Sequence, residues 1–95
     1  MKTYKLLFKV EAEKEWRKLD ATIKTQFKKK LAARLNNPHV PAAKLNGMPN
    51  CYKIKLRSVG YRLVYEVRDD EVVVSIVAVG KRERNEVYKT AIKRI

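Results

Sequence analysis

Cysteine and histidine each occur once in the 95 residues, and acids are scarce, 10 Asp+Glu against 23 Lys+Arg. A single thiol, Cys51, excludes an internal disulfide and a cysteine-based metal site. It reads as a small apolar residue opening a strand, in the reducing setting of a cytoplasm. The lone His39 follows Pro38 with no second histidine or cysteine nearby, which argues against a metal role and leaves an exposed loop residue. No metal or cofactor is expected. Long apolar runs are missing too. Residues 1–9 hold too short a run for a signal peptide, and no later stretch could span a bilayer, so neither export nor a membrane partner is expected. Nor is there a linker, repeat or low-complexity tract. One domain over residues 1–95 is the expectation.

What is abundant is positive charge. The net charge is +13 and the pI about 10.1, with 45% hydrophobic and 35% charged residues. That balance suits a folded chain. Its excess points to nucleic acid, an anionic surface or an acidic protein partner.

Periodicity outlines the elements. Residues 4–10 predict a first strand, with Tyr4, Leu6, Phe8 and Val10 alternating against Lys5, Leu7 and Lys9. Residues 11–19 predict a helix with Ala12, Trp16 and Leu19 on one stripe. Asp20 is positioned to cap a second helix, on which Ile23, Phe27, Leu31 and Leu35 recur at spacing four while Lys24, Lys28, Lys29 and Lys30 face out. Asn36-Asn37-Pro38 stops it. The lysine run reads first as a solvated face, with diffuse attraction to nucleic acid as the second reading. A loop through Pro41, Gly47 and Pro49 leads to three strands, residues 51–57, 61–67 and 72–79, whose short turns imply an antiparallel meander. Asn85 is placed to cap a last helix, residues 86–95, with Tyr88, Ala91, Ile92 and Ile95 as its apolar stripe. The fold class is α+β: an N-terminal strand, a two-helix hairpin, a three-stranded meander and a C-terminal helix.

In the segment Lys53-Ile54-Lys55-Leu56-Arg57 the aliphatics share one strand face and the cations the other. Pairing Leu56 with Tyr61 sets Ile54 beside Leu63 and Lys55 directly opposite Arg62. A one-residue slip would mix apolar and cationic side chains. Like charges in direct opposition are unfavourable unless an anion sits among them. A two-residue turn at Asp69-Asp70 would pair Val67 with Val72, Leu63 with Ile76 and Tyr61 with Ala78. The chain would then leave the sheet at Gly80 and deliver Lys81, Arg82 and Arg84 to the same end, with Tyr88 at the rim. Plainer readings exist for several of these. Tyr88 lies on an apolar stripe, Arg84 has acidic neighbours in Glu83 and Glu86, and Lys53 and Arg57 could merely guard a sheet edge.

Residues 51–65 and 79–88, with Lys14-Glu15-Trp16-Arg17-Lys18-Leu19 and Lys44-Leu45-Asn46-Gly47-Met48-Pro49, strongly resemble the RelE toxins of the RelE/ParE toxin–antitoxin superfamily. The resemblance runs through the whole chain in order. It implies a small domain similar to microbial ribonucleases and a ribosome-dependent mRNA endonuclease working in the A site. The RNA 2′-hydroxyl would be the nucleophile, leaving 2′,3′-cyclic phosphate and 5′-hydroxyl ends. The family's functional positions fall on Lys53, Lys55, Arg62, Arg82 and Tyr88. Arg57, Lys81, Arg84 and Lys44 are further RNA-binding candidates. Asn46 departs from the pattern, since these toxins can carry an arginine there. Implied partners are a RelB-type antitoxin, the 70S ribosome with its small-subunit rRNA, mRNA, and operator DNA only through the antitoxin complex. By resemblance the antitoxin would wrap the toxin and hold off the final helix.

The residues support this chemistry without His or Glu at the candidate face. Neighbouring cations lower a lysine's pKa, so Lys55, or Tyr88 through it, is the candidate base; Lys53 and Arg62 would stabilise the phosphorane and Arg82 the leaving oxygen. The rivals are a ParE-like gyrase inhibitor and a non-catalytic basic RNA- or ribosome-binding module.

Overall fold

The computed structural model describes residues 3–83 and 86–95. In chain order these form β1 (Lys5–Phe8), α1 (Val10–Arg17), α2 (Ala21–Asn36), a 3-10 turn at Pro41–Ala43, β2 (Cys51–Leu56), β3 (Tyr61–Arg68), β4 (Val73–Lys81) and α3 (Glu86–Arg94). The sheet order is β1-β4-β3-β2, with β1 parallel to β4 and the other neighbours antiparallel. The α+β class and the meander are as the sequence predicts. Among the described residues no helix is long and apolar enough to cross a membrane.

Each sheet face has its own cover. One face buries Ile54, Leu56, Leu63, Tyr65, Val67, Val74, Ile76 and Val79 against Ala12, Ile23, Phe27 and Leu31 of the first two helices. Each large aliphatic or aromatic residue buried there contributes on the order of 1.5–3 kcal/mol. The other face holds a smaller core, where Met48, Cys51, Val64, Val77 and Ala78 meet Val87 and Ala91 of α3. Cys51 is fully buried, and desolvation raises its thiol pKa to about 11, so it packs as an apolar residue.

The helical stripes differ from expectation at the chain's two ends. Val10 leaves the first strand to start α1 and is exposed. Asp20 sits at the N-cap of α2, but its side chain makes no capping bond; only its carbonyl accepts, from Lys24 N–H. Lys24 itself is half-buried and donates to Arg17 O at 3.4 Å. On α3 the buried face is Val87 and Ala91, with Tyr88 half-buried, whereas Ile92 and Ile95 are exposed. The expected cap Asn85 lies outside the described residues.

Registers of the last two strands correct the sequence reading. Leu56↔Tyr61, Ile54↔Leu63 and Lys55↔Arg62 pair as expected. Yet Val67 pairs with Val74, Leu63 with Val79 and Tyr61 with Lys81, with an irregularity between Val64 and Tyr65. Two local features cause this. The turn after Arg68 takes four residues, 69–72, because Val72 adopts φ +55°. That conformation is strained for a β-branched residue. Its carbonyl is used, accepting Lys5 N–H at 2.9 Å and so starting the parallel β1–β4 ladder. Then Val77 is an extra residue on β4, since Tyr65 pairs with Ile76 and Val64 with Ala78. Such a bulge exchanges the faces of all that follows. Ala78 and Gly80, both small, thereby come under α3, and Gly80 is a strand residue opposite Arg62 rather than the exit from the sheet.

His39 is the exposed loop residue expected, but it is held by hydrogen bonds that residue order does not announce. Its Nδ1 lies 2.8 Å from Tyr52 Oη and its Nε2 2.8 Å from Asp69 Oδ1, and Tyr4 Oη also donates to that carboxylate. The His39 hydrogen bond, followed by that from Tyr4, holds the Asp69 pKa below its ordinary 3.8. A depressed carboxylate stabilises the fold above its unfolded pKa and loses that contribution as pH falls through the folded value. Asp69→Asn is therefore expected to flatten the acid limb of urea-midpoint-against-pH curves below about pH 4, with parallel behaviour at neutral pH.

Candidate active site

The meander geometry puts like charges in contact. Lys55 on β2 stands directly opposite Arg62 on β3, and Lys53 lies two residues along the same face. Arg62 is only 8% exposed, and its Nη1 donates to Tyr61 O at 3.2 Å, fixing the guanidinium at the end of β3. The β2–β3 turn closes through Gly60 at φ +70°, a conformation that glycine accepts without a Cβ clash. Because the β4 bulge brings Lys81 beside Tyr61, the next residue reaches that turn, and Arg82 N–H donates to Gly60 O at 2.6 Å. Arg62, Arg82 and Tyr88 then line one small recess, with Lys81, Glu83, Glu86 and Val87.

Electrostatics record the convergence. The Lys55 pKa is lowered, chiefly by the Lys53 ammonium, then by desolvation, then by Arg62, Arg57 and Arg82. Four cations thus act on a fifth. None of Lys53, Lys55, Arg57, Arg62 or Arg82 forms an ion pair among the described residues. A larger fraction of Lys55 is consequently in the free-amine form, able to accept a proton, than of an ordinary surface lysine. Tyr88 adds a second unsatisfied element: its hydroxyl is buried and has no hydrogen-bond partner among the described residues. Leaving such a group unpaired costs on the order of 1–3 kcal/mol. The ring packs against the smaller core, so packing and an available hydroxyl coexist in one side chain.

Other sequence-predicted candidates scatter. Arg57 follows the end of β2, exposed in the turn. Lys81 ends β4 and lines the recess with Arg82. Lys44 does not join them; it bridges to Tyr52 and lines a separate shallow cleft over residues 44–49, Asn46 included. Arg84 lies outside the described residues.

Two residues to which the sequence reading gave no role seat the helix that carries Tyr88. β1 is too short to cover β4 beyond Ile76, whose carbonyl takes its last bond there, from Lys9 N–H. The exposed edge is completed by side chains. Arg94 Nη1 donates to Val77 O at 2.9 Å and to Glu15 Oε1 at 2.8 Å, while Val79 N–H donates to the same Glu15 oxygen at 3.2 Å. Arg94 is 15% exposed and pairs with Glu11 as well. At the other end of α3, Val87 fills the hollow over Gly80, where a Cβ would come within 3.1 Å of Val87 Cγ2. A Glu and an Arg 79 positions apart carry no sequence signal of partnership. Arg94→Ala removes the Arg94 bonds to Val77 O and to both Glu15 oxygens, leaving Glu15 only Val79 N–H, with an expected cost of about 1–3 kcal/mol. Hydrogen exchange should show faster exchange over residues 87–94 of α3, with β3 amides unchanged.

Known proteins resemble this arrangement throughout. A family model described as the ParE toxin of the type II toxin–antitoxin system parDE matches residues 6–86. The mRNA interferase toxin RelE of Escherichia coli K12 is 61% identical over 92 residues, covering 97% of each chain. The free-state structure of a double-arginine variant of E. coli RelE superposes with a TM-score of 0.90 at 58% identity, covering 98% of each chain. The RelE chain of the intact E. coli RelBE toxin–antitoxin complex gives 0.82 at 59% identity, covering 85% of this chain and 99% of that one. A sheet that crowds unneutralised cations beside an orphan tyrosine hydroxyl, in a chain this similar, has one assignment: it belongs to the RelE/ParE family of type II toxin–antitoxin toxins, on the RelE side.

Proposed function

We propose that this chain is the toxin of a type II toxin–antitoxin pair and cuts mRNA in the ribosomal A site. The carrying observation is Lys55 placed directly opposite Arg62 and depressed by four neighbouring cations, an arrangement that an RNA phosphate would relieve. Support comes from similarity to proteins named mRNA interferases. That similarity, at 61% identity to RelE, favours RNA cleavage over a ParE-like action on gyrase, although the matching family model carries the ParE description.

The reaction follows from the side chains present. Lys55, in its free-amine form, takes the proton of the RNA 2′-hydroxyl. The O2′–P bond then forms as the P–O5′ bond breaks, giving a 2′,3′-cyclic phosphate and a 5′-oxygen that takes a proton from solvent. Lys53 and Arg62 stabilise charge on the phosphorane, and the Arg82 guanidinium stabilises charge on the departing oxygen. Tyr88 orients a nucleotide, its buried hydroxyl gaining a partner in the substrate. Alignment of 2′-oxygen, phosphorus and 5′-oxygen is the missing ingredient on free RNA. A ribosome holding the message in line supplies it, and such orientation is worth roughly 7–11 kcal/mol in favourable cases.

Partners follow from charge and similarity. A +13 chain suits small-subunit rRNA and mRNA, and an acidic antitoxin of RelB type suits it as neutralising companion. RelE–RelB complexes of relatives support the latter. Operator DNA would be bound only through that companion, and the reducing cytoplasm is the setting proposed.

Inducing the wild-type chain should produce mRNA cuts within translated codons, mapped by primer extension, and Arg82→Ala should abolish them. Growth arrest with intact transcripts would sink the nuclease reading. The pH profile tests the base. If Lys55 accepts the proton, kcat rises with pH through its depressed pKa. Lys53→Ala removes the largest cause of that depression, so the rising limb should move to higher pH as well as falling in height.

A further inference from the structure

The five candidate catalytic residues leave a second concentration of charge unexplained. β2 is the last strand of the sheet, and its outer edge faces α2 and the Pro41–Ala43 turn. Between them lies a cleft of about 320 Å³ walled by Lys30, Arg34, Lys53, Lys55 and Arg57 over a floor of Val40, Ala42 and Ala43. Among the described residues five cations line it and no carboxylate does. None of the five is in an ion pair among the described residues.

The two helix residues are held in place by the strand's own backbone. Arg34 Nη1 donates to Lys53 O at 3.2 Å and to Tyr65 Oη at 2.9 Å, and Tyr65 Oη in turn donates to Pro38 O at 2.7 Å. Lys30 Nζ reaches Lys55 O at 3.3 Å. These acceptors are neutral, so they orient the cations without cancelling their charge. Lys30 and Arg34 are four apart on α2, a spacing at which like charges destabilise a helix. A guanidinium fixed by two neutral acceptors and still presenting further N–H donors is pre-organised for phosphate. Lys55 joins the two regions: it lines this cleft and feels Arg62 and Arg82 of the catalytic face.

We propose that this cleft is a phosphodiester-binding extension of the catalytic face, which takes the backbone of single-stranded RNA running past Lys55 around the β2 edge. The inference rests on the RNA-cleaving function proposed above and names where the substrate strand leaves it. Single-stranded RNA fits better than a duplex, because the apolar floor of Val40, Ala42 and Ala43 between cationic walls accepts an unstacked sugar or base. Lys28 and Lys29, exposed on the same helix, do not line it.

The test uses the full chain and a fluorescent single-stranded 2′-O-methyl oligoribonucleotide, which binds but lacks the nucleophile. Anisotropy is followed across salt concentrations. Lys30→Gln with Arg34→Gln should lower the magnitude of the log Kd against log salt slope by about 1.4, at about 0.7 for each phosphate no longer neutralised. Lys28→Gln with Lys29→Gln removes equal charge outside the cleft and should leave the slope nearly unchanged. Equal losses in both double variants would reduce the effect to net charge and overturn the site. So would a duplex of equal charge, or an acidic peptide, competing as well as the single strand. Lys30→Gln and Arg57→Gln singly involve exposed side chains and guard against misfolding of the Arg34 variant; each should lower the slope by about 0.7. Because the probe cannot be cut, slope changes confined to the cleft uphold this site even if transcripts stay intact in cells. Normal mRNA cuts with no slope change would reject the cleft and keep the nuclease.

Discussion

Repulsion between Lys55 and Arg62 across the β2–β3 ladder is the constraint on which the rest of the molecule turns. An isolated sheet gains nothing from two cations in register. The pair persists because the opposite face of the same two strands buries Ile54, Leu56 and Leu63, and any slip that separated the charges would expose those three. Hydrophobic burial on one side thus holds electrostatic strain on the other. The same crowding lowers the Lys55 pKa, chiefly through Lys53, then through desolvation and Arg62.

Everything around that pair extends or aims it. The β4 bulge brings Arg82 against Gly60 and sets Gly80 opposite Arg62, which clears space for Val87 and lets α3 approach. Tyr88 arrives with the helix, and the Glu15–Arg94 pair holds the far end by completing the β4 edge that β1 leaves open. A short strand, a bulge and a side-chain clamp are therefore linked parts of one positioning device. On the outer edge of β2, Lys30 and Arg34 use strand carbonyls as anchors and carry the cationic surface round to the helical side.

Much of this was legible from residue order, and the misses share a cause. The β2–β3 register followed from a short turn and period-two alternation, both local. The β3–β4 register did not, because Val72 takes a left-handed conformation that nothing in Asp69-Asp70-Glu71-Val72 announces, and the Val77 bulge has no composition signature. His39 looked like a bare loop residue, since Tyr52 and Asp69 lie 13 and 30 positions away. The α3 stripe was misread for the same reason. Its facing was decided by Gly80 and Glu15, which belong to other elements.

By itself the sequence determined the element order, the α+β class, the Lys55–Arg62 opposition and the chemical character of the basic face. These depend on side-chain period and on contacts between neighbouring segments. Only the tertiary structure decided where β4 ends, which face of α3 is buried, that the Tyr88 hydroxyl has no partner among the described residues, and that Lys30 and Arg34 join Lys55 at one edge. Those outcomes depend on backbone conformation at one or two residues and on long-range pairing, and neither leaves a period in the chain for a reader to find.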